Sequence, residues 1–178
     1  AVKHFPSPNT NVGPFLRNNY FAVSPETNTA NGMIVKVDHS FLEKHRVDVS
    51  TAFSNGFAGS SRIFPTIADP NTPDRRYQSR RAAAGHTWTV SPRTLNRLDL
   101  EASTTSNRYE GEVFPQYRFS YGSLGRVNPR YRGTSNYFAA SDALSTRRGP
   151  HSLRIAAGFS HQQSHTFTEQ YPLGSFRF

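Results

Sequence analysis

The segment MIVKVDHSFLEKHRVDVSTAFS, residues 33–54, contains two runs in which the side-chain pattern repeats at every second position. Met33, Val35 and Val37 share one set of positions in the first run, and Val47 and Val49 do so in the second. A period of two that is rich in β-branched residues predicts strands with one apolar face and one polar face. Only a short polar link, residues 40–46, separates the two runs. The segment therefore predicts a β-hairpin.

The same alternation returns along the rest of the chain. Further strands are predicted at residues 77–90, 95–106, 134–146 and 151–162, with an extra strand at 116–121 and a short final one at 174–178. Residues 1–31 are rich in Pro, Asn and Thr and predict a loop or arm. The prediction is one all-β unit over residues 1–178. The arm is followed, over residues 32–178, by an antiparallel meander of about seven to eight strands, forming a barrel or a curved sheet.

The connections between these strands alternate in length. Short links at residues 40–46, 91–93 and 147–150 alternate with long Pro- and Gly-containing stretches at 55–76 and 107–133. Short turns on one rim and long loops on the other are typical of outer membrane barrels, although a soluble all-β domain remains an alternative. In a barrel the polar faces would line the interior and the apolar faces would meet lipid. The girdle candidates are Phe53, Trp88, Tyr137 and Phe159.

Composition limits the partners. The chain contains no Cys, which excludes disulfides and Cys-based metal sites. A net charge of +9 favours an acidic partner, such as anionic lipid, lipopolysaccharide or nucleic acid, over a neutral one. The alternative is that the excess Arg lies in solvated loops. The candidate anion-contacting residues are Arg75, Arg76, Arg80, Arg81, Arg147 and Arg148. Nucleic acid is the weakest of these partners because the chain has no compact stacking motif.

No motif in the chain predicts catalysis. There is no nucleophile elbow, P-loop or dinucleotide-binding fingerprint, and the seven His are scattered. Asp38 and Asp48 are expected to face each other across the first hairpin, with Lys36 and Arg46 beside them. This arrangement favours a polar ladder in a lumen over a general acid–base pair. We therefore predict a protein that is not an enzyme and has no catalytic residue, cofactor or metal.

Several blocks of the sequence resemble a known family. VDHSFLEKHRVDVSTAFSN (residues 37–55), GHTWTVSPRTLNRLDLEAS (85–103) and SDALSTRRGPHSLRIAAGFSHQQ (141–163), followed by GSFRF (174–178), occur in the order seen in that family. They are similar to barrel segments of the TonB-dependent receptors related to the Oar protein. The resemblance implies an internal piece of an outer membrane barrel that serves transport or surface binding.

The resemblance covers the barrel alone. The plug domain, the energy-coupling box and most barrel strands of that family are missing, so the chain by itself is not expected to import a substrate. It is expected to belong to a larger receptor or, as a processed fragment, to assemble with copies of itself into an extracellular filament or tube. Both alternatives use open strand edges. The candidate edge residues are Met33, Val35, Val37, Ser175, Phe176 and Phe178.

Overall fold

The computed structural model describes residues 2–10, 20–69, 73–111, 115–120, 122–124 and 130–178. A short 3-10 helix at Val2–His4 precedes the strands. Within the described residues these are β1 (Thr27–Phe41), β2 (His45–Gly59), β3 (Asp74–Ser91), β4 (Thr94–Glu110), β5 (Gln116–Phe119), β6 (Gly122–Leu124), β7 (Arg130–Arg148), β8 (His151–Glu169) and β9 (Ser175–Arg177). None of the helical structure in these ranges is long and apolar enough to cross a membrane.

The six long strands form one antiparallel sheet in the order β1-β2-β3-β4-β7-β8. The predicted all-β antiparallel meander is therefore confirmed. Short turns at residues 42–44, 92–93 and 149–150 lie at one end of the sheet, which we call the turn rim. The strand ends that the long connections join lie at the other end, the loop rim: Gly59 and Asp74, and then Glu110 and Arg130. The alternation of short and long connections is as predicted.

The strands are longer than the alternating pattern indicates. β1 begins at Thr27, inside the predicted arm, and β7 begins at Arg130, inside the predicted irregular stretch. The backbone ladder continues where the side chains on both faces are polar, as at the pair Asn31–Asn55. Hydrophobic alternation is visible only in the section of a strand that has one apolar face. Strands predicted from it are therefore shorter than the hydrogen-bonded strands of the structure.

A second, three-stranded sheet has the order β6-β5-β9. β9 pairs in parallel with β5, and the Tyr117 ring stacks on Phe176 at 5.6 Å between ring centres. The Phe119 and Phe178 rings also stack, at 5.6 Å. The extra strand predicted at residues 116–121 is thus present over Gln116–Phe119, while Tyr121 lies outside the described residues.

The register assigns every side chain of the large sheet to one of two faces. One row across the six strands contains Val37, Val49, Ala84, Leu100, Ala140 and Phe159. We call this side the apolar face. The adjacent row on the opposite side contains Asp38, Asp48, Gly85, Asp99, Ser141 and Gly158, and we call that side the polar face.

Three of the four predicted girdle residues lie on the apolar face, and Tyr137 does not. Tyr137 pairs with Ser103 and Gln162 on the polar face, and its neighbour Phe138 lies on the apolar face instead. Apolar residues occupy consecutive positions in this part of β7, including Ala139 and Ala140. The period-two pattern is therefore ambiguous there, and only pairing with β4 and β8 fixes the faces.

The large sheet is a single layer without a core of its own. Among the described residues, the buried apolar side chains are Ala68 and Leu124, and both lie outside the large sheet. The accessible surface is 13145 Å². A soluble folded protein of this 20.0 kDa mass exposes roughly 8,700 Å². The apolar face must therefore be covered by something outside the described fold.

Candidate functional site

Ionised side chains of the polar face form a row of linked pairs close to the turn rim. We call this set the charged ladder, and its members are Lys36, Asp38, Arg46, Asp48, Arg81, Arg97, Asp99 and Glu101. The ladder runs across β1 to β4. Because charged groups are solvated favourably, the polar face can lie against water, whereas the apolar face on the opposite side of the sheet cannot do so without cost.

Arg97 is the centre of the charged ladder. Its Nη1 donates to Asp48 Oδ1 at 2.6 Å, and its Nη2 lies 2.6 Å from Asp99 Oδ1. Nη1 also donates to the Thr87 hydroxyl at 2.9 Å. Arg97 is on β4 and Asp48 is on β2, so the guanidinium reaches over the whole width of β3.

Gly85 makes this reach across β3 possible. It lies directly between Asp48 and Asp99 in the row. A Cβ atom at Gly85 would overlap the Arg97 guanidinium and would lie 2.8 Å from Asp48 Oδ1. The close approach of Arg97 to the backbone therefore requires a residue without a side chain.

The predicted pairing of Asp38 with Asp48 across the first hairpin is confirmed. Asp38 accepts from Arg46 at 3.2 Å and lies 3.3 Å from Lys36 Nζ. Asp48, however, takes its partner from β4 rather than from Lys36 or Arg46. Adjacent carboxylates repel each other unless each has a cation. Lys36 and Arg46 both pair with Asp38, and Arg97 supplies the cation for Asp48.

Arg81 and Glu101 complete the charged ladder farther from the turn rim. The Arg81 Nε and Nη2 atoms each donate to one Glu101 carboxylate oxygen at 2.8 Å. This two-pronged contact fixes the orientation of both groups. Arg81 was predicted to contact an external anion, and in the structure its guanidinium is already paired with Glu101.

Nearer the loop rim, aromatic side chains cover glycines of the polar face. A Cβ atom at Gly56 would overlap the Tyr77 ring, so Tyr77 of β3 lies over the bare backbone of β2. Tyr131 covers Gly133 on β7 in a similar manner. An aromatic ring over a glycine restores packing that the glycine lacks.

Arg75, another predicted anion contact, lies between Tyr77 and Tyr109 at 5.9 Å from each ring centre.

The apolar face carries an aromatic group at the turn rim. The His45 ring stacks on Phe41 at 5.3 Å and on Trp88 at 5.7 Å. His45 Nδ1 also lies 3.0 Å from His86 Nε2, within hydrogen-bond distance. Rings that combine an apolar body with a polar atom are typical of the boundary between water and hydrocarbon.

The other arginines predicted to contact an anion lie at opposite ends of the large sheet. Arg76 and Arg80 lie on the apolar face toward the loop rim, where their guanidinium carbons lie 5.0 Å from Phe57 and 5.9 Å from Phe53, respectively. Arg147 and Arg148 end β7 at the turn rim. The six predicted residues therefore do not form one anion site. Arg108, which the sequence did not identify as an anion contact, is the direct cross-strand neighbour of Arg76, and Arg132 is in turn the neighbour of Arg108.

The predicted edge residues occupy two different sheets. Met33, Val35 and Val37 lie on β1, at one edge of the large sheet. Ser175 and Phe176 lie on β9, at an edge of the small sheet, and Phe178 follows it. The second edge of the large sheet is β8, which the sequence did not identify as an edge. Within the described ranges, no cluster of three or more acidic or His side chains is placed to hold a metal.

Comparison with known proteins gives one match that covers the chain. A family model described as an outer membrane beta barrel domain matches residues 1–178. No curated protein matches the chain.

Proposed function

The chain belongs to the family of outer membrane β-barrel domains, and on that premise we propose that its sheet is a section of barrel wall in a TonB-dependent-receptor-like protein. In this wall the polar face lines the lumen and the apolar face contacts lipid. The protein serves transport or surface binding and carries out no chemistry of its own.

One observation carries the proposal: the large sheet is a single layer with opposite chemistry on its two sides. The charged ladder requires water or polar ligands, whereas Val35, Val37, Leu153 and Phe159 are exposed on the apolar face. A soluble sheet would bury that face against another layer. A barrel wall satisfies both faces without a second layer, since lipid covers one and the lumen hydrates the other.

The receptor assignment rests on the sequence blocks that resemble the Oar-related receptors. Two of these blocks contain residues of the charged ladder. Asp38, Arg46 and Asp48 belong to the first block, and Arg97 and Asp99 belong to the second. A lumen lined by fixed, paired charges suits the passage or binding of a polar solute. These paired charges support a transport or binding role over a purely structural one.

Membrane extraction tests the barrel proposal. The protein is expected to stay in the outer membrane fraction, to require detergent for release, and to migrate differently on gels before and after heating. Recovery of the protein in solution without detergent, with no effect of heating on migration, would contradict it.

The open edges favour a second candidate, assembly of copies edge to edge. β1 and β8 each have one neighbouring strand among the described residues, and every residue of β1 is exposed. The two edge strands run in opposite directions because the meander has six strands. A copy added at the β8 edge would thus continue the antiparallel alternation through its own β1.

Particle mass distinguishes the two candidates. Self-assembly through the edges predicts rings, tubes or filaments whose mass is a multiple of this chain. A receptor predicts one copy of this sheet per particle, completed by other strands. Sedimentation of detergent-solubilised protein gives the mass, and a single copy per particle would exclude the assembly candidate.

A further inference from the structure

Three arginines lie side by side on the apolar face next to the loop rim. Arg76 of β3 pairs directly with Arg108 of β4, which pairs directly with Arg132 of β7. We call these residues the arginine row. All three side chains are exposed. Like charges opposite one another on neighbouring strands destabilise a sheet unless an anion lies between them.

The described residues supply less negative charge to this row than the row carries. One carboxylate, Glu110, serves two members: Oε2 lies 3.3 Å from Arg76 Nε, and Oε1 lies 2.5 Å from Arg108 Nε. In the described part of the chain, no carboxylate lies within ion-pair distance of Arg132. The nearby Arg130 is paired with Glu169 at 3.6 Å. The row with Glu110 therefore retains a charge of +2, three cations less one anion.

Polar amides lie between the arginine row and the apolar part of the same face. Asn31, Asn55 and Gln78 are direct neighbours across β1, β2 and β3, and Ser106 continues the row on β4. We call these four residues the amide row. Together with Phe57, Arg76 and Arg108 they line a groove of about 440 Å³.

The apolar face thus changes chemistry in a fixed order toward the loop rim. On β1 and β2, aliphatic and aromatic residues come first, up to Met33 and Phe53. On β3, β4 and β7 the apolar section ends one row earlier, at Ala82, Ala102 and Phe138, and the polar residues Arg80, Thr104 and Asn136 follow. The amide row and then the arginine row come next, toward the loop rim. Adjacent rows on one face of a strand are about 6.8 Å apart, two residues of rise. In outer membrane barrels the long loops are on the extracellular side, which puts the arginine row at the level of the outer leaflet's headgroups.

We propose that the arginine row binds the phosphate groups of an acylated, phosphorylated glycolipid of the outer leaflet. The guanidinium groups donate charge-assisted hydrogen bonds to phosphate oxygens. The amide row meets the amide and hydroxyl groups of the sugar, and the apolar residues below contact the acyl chains. This inference rests on the proposed function, since it needs the apolar face to be the lipid-facing side.

The order of the rows favours a lipid headgroup over free phosphate. A site for free phosphate needs only the cations, whereas here polar amides and an apolar surface continue from them on the same face. Arg76 and Arg80 also lie against Phe57 and Phe53, so the cations are held at the border of the hydrocarbon surface.

The test is retention of lipid A by the detergent-purified protein, measured by native mass spectrometry. Diphosphorylated lipid A is compared with lipid A stripped of its phosphates but carrying the same acyl chains. The wild type is expected to hold the phosphorylated form roughly tenfold more tightly or better, because several charge-assisted hydrogen bonds are lost without phosphate. Equal retention of the two forms would overturn the proposal.

A charge-matched pair of variants locates the site. The variant Arg76→Gln, Arg108→Gln, Arg132→Gln is expected to lose the preference for phosphorylated lipid A. The control variant Arg93→Gln, Arg147→Gln, Arg148→Gln removes the same amount of positive charge at the turn rim. This variant is expected to keep the preference for phosphorylated lipid A. Loss of the preference in both variants would show a nonspecific charge effect and contradict the assignment.

Two further measurements distinguish a glycolipid site from a simple anion site, and failure of this inference from failure of the proposed function. Displacement of lipid A by millimolar inorganic phosphate would show a simple anion site and refute the glycolipid assignment. Gel migration before and after heating reports the folded barrel in the same samples. A folded barrel without lipid A preference defeats this inference alone, while a protein that needs no detergent defeats the proposed function and this inference with it.

Discussion

Gly85 determines how the charged ladder is connected on the polar face. It allows Arg97 to lie across β3 and to reach both Asp48 and Asp99. The side chains of Arg97 and Asp48 are 33% and 26% exposed, so water screens this pair only in part. The pairing ties β2 to β4 in addition to the backbone ladder.

Replacing Gly85 by Ala is expected to push Arg97 off Asp48 and to lower stability by about 1 kcal/mol. The measurement is the temperature at which the heat-dependent gel shift occurs. Gly158→Ala is the matched control, because Gly158 lies in the same row and its added Cβ would be 3.4 Å from the nearest atom. A Gly85→Ala protein as stable as the control would contradict the role given to Gly85.

The Asp48→Asn substitution tests whether Gly85 acts through the Arg97 pair. If Gly85→Ala already removes the contact, then Asp48→Asn should add little in the double variant. The two effects are therefore expected to be non-additive by roughly 0.5 to 1 kcal/mol. Strict additivity in the same gel-shift measurement would show that the glycine and the carboxylate act independently.

The sequence predicted the polar ladder but not how it is connected. Asp38 and Asp48 were identified from alternation within one hairpin, which needs only local spacing. Arg97 is separated from Asp48 by the whole of β3, and no local pattern specifies that a guanidinium crosses it. The register between β2, β3 and β4 determines the contact, and register depends on pairing that a single sequence does not show.

The first hairpin depends on an unusual turn. Leu42 and Glu43 have φ angles of 53° and 54°, in the left-handed region that favours Gly or Asn. The strands on either side are held by the full ladder from Thr27–Gly59 to Phe41–His45. The ladder therefore imposes the turn conformation on residues that do not prefer it.

Replacing Glu43 by Val is expected to lower stability by about 1–2 kcal/mol, because a β-branched residue is poorly tolerated at a left-handed φ. Glu43→Asn removes the same charge and is expected to retain or raise stability, since Asn tolerates this conformation. Thermal gel-shift curves compare the two variants. Equal stability of the two would show that the turn relaxes without cost.

At the level of elements, the alternating pattern identified all six long strands but not their full length. It fails where both faces are polar, as in the first residues of β1 and β7, because the ladder there leaves no hydrophobic signal. It also failed for Tyr137, where consecutive apolar residues fit either face. The arginine row shows the same limit, since Arg76, Arg108 and Arg132 are far apart in the sequence and become neighbours only through the register.

At the scale of the molecule, the large sheet is one layer thick and its apolar face is exposed. The only Trp in the chain, Trp88, lies on the apolar face at the turn rim and stacks on His45. Its fluorescence is expected to shift to shorter wavelength when the protein enters bilayers, and to be quenched by lipids brominated near the headgroup. Quenching by aqueous iodide alone would contradict this placement.

We infer that the apolar face meets lipid and the polar face meets water. Val49 and Ser50 are adjacent on β2, an interior strand, and lie on opposite faces. The chain has no Cys, so Val49→Cys and Ser50→Cys can each be labelled at one position with the same fluorophore. In reconstituted protein, we predict that a lipid-borne nitroxide quenches the Val49→Cys probe and aqueous iodide quenches the Ser50→Cys probe. Equal quenching of both probes by iodide, or the reverse assignment, would contradict the account.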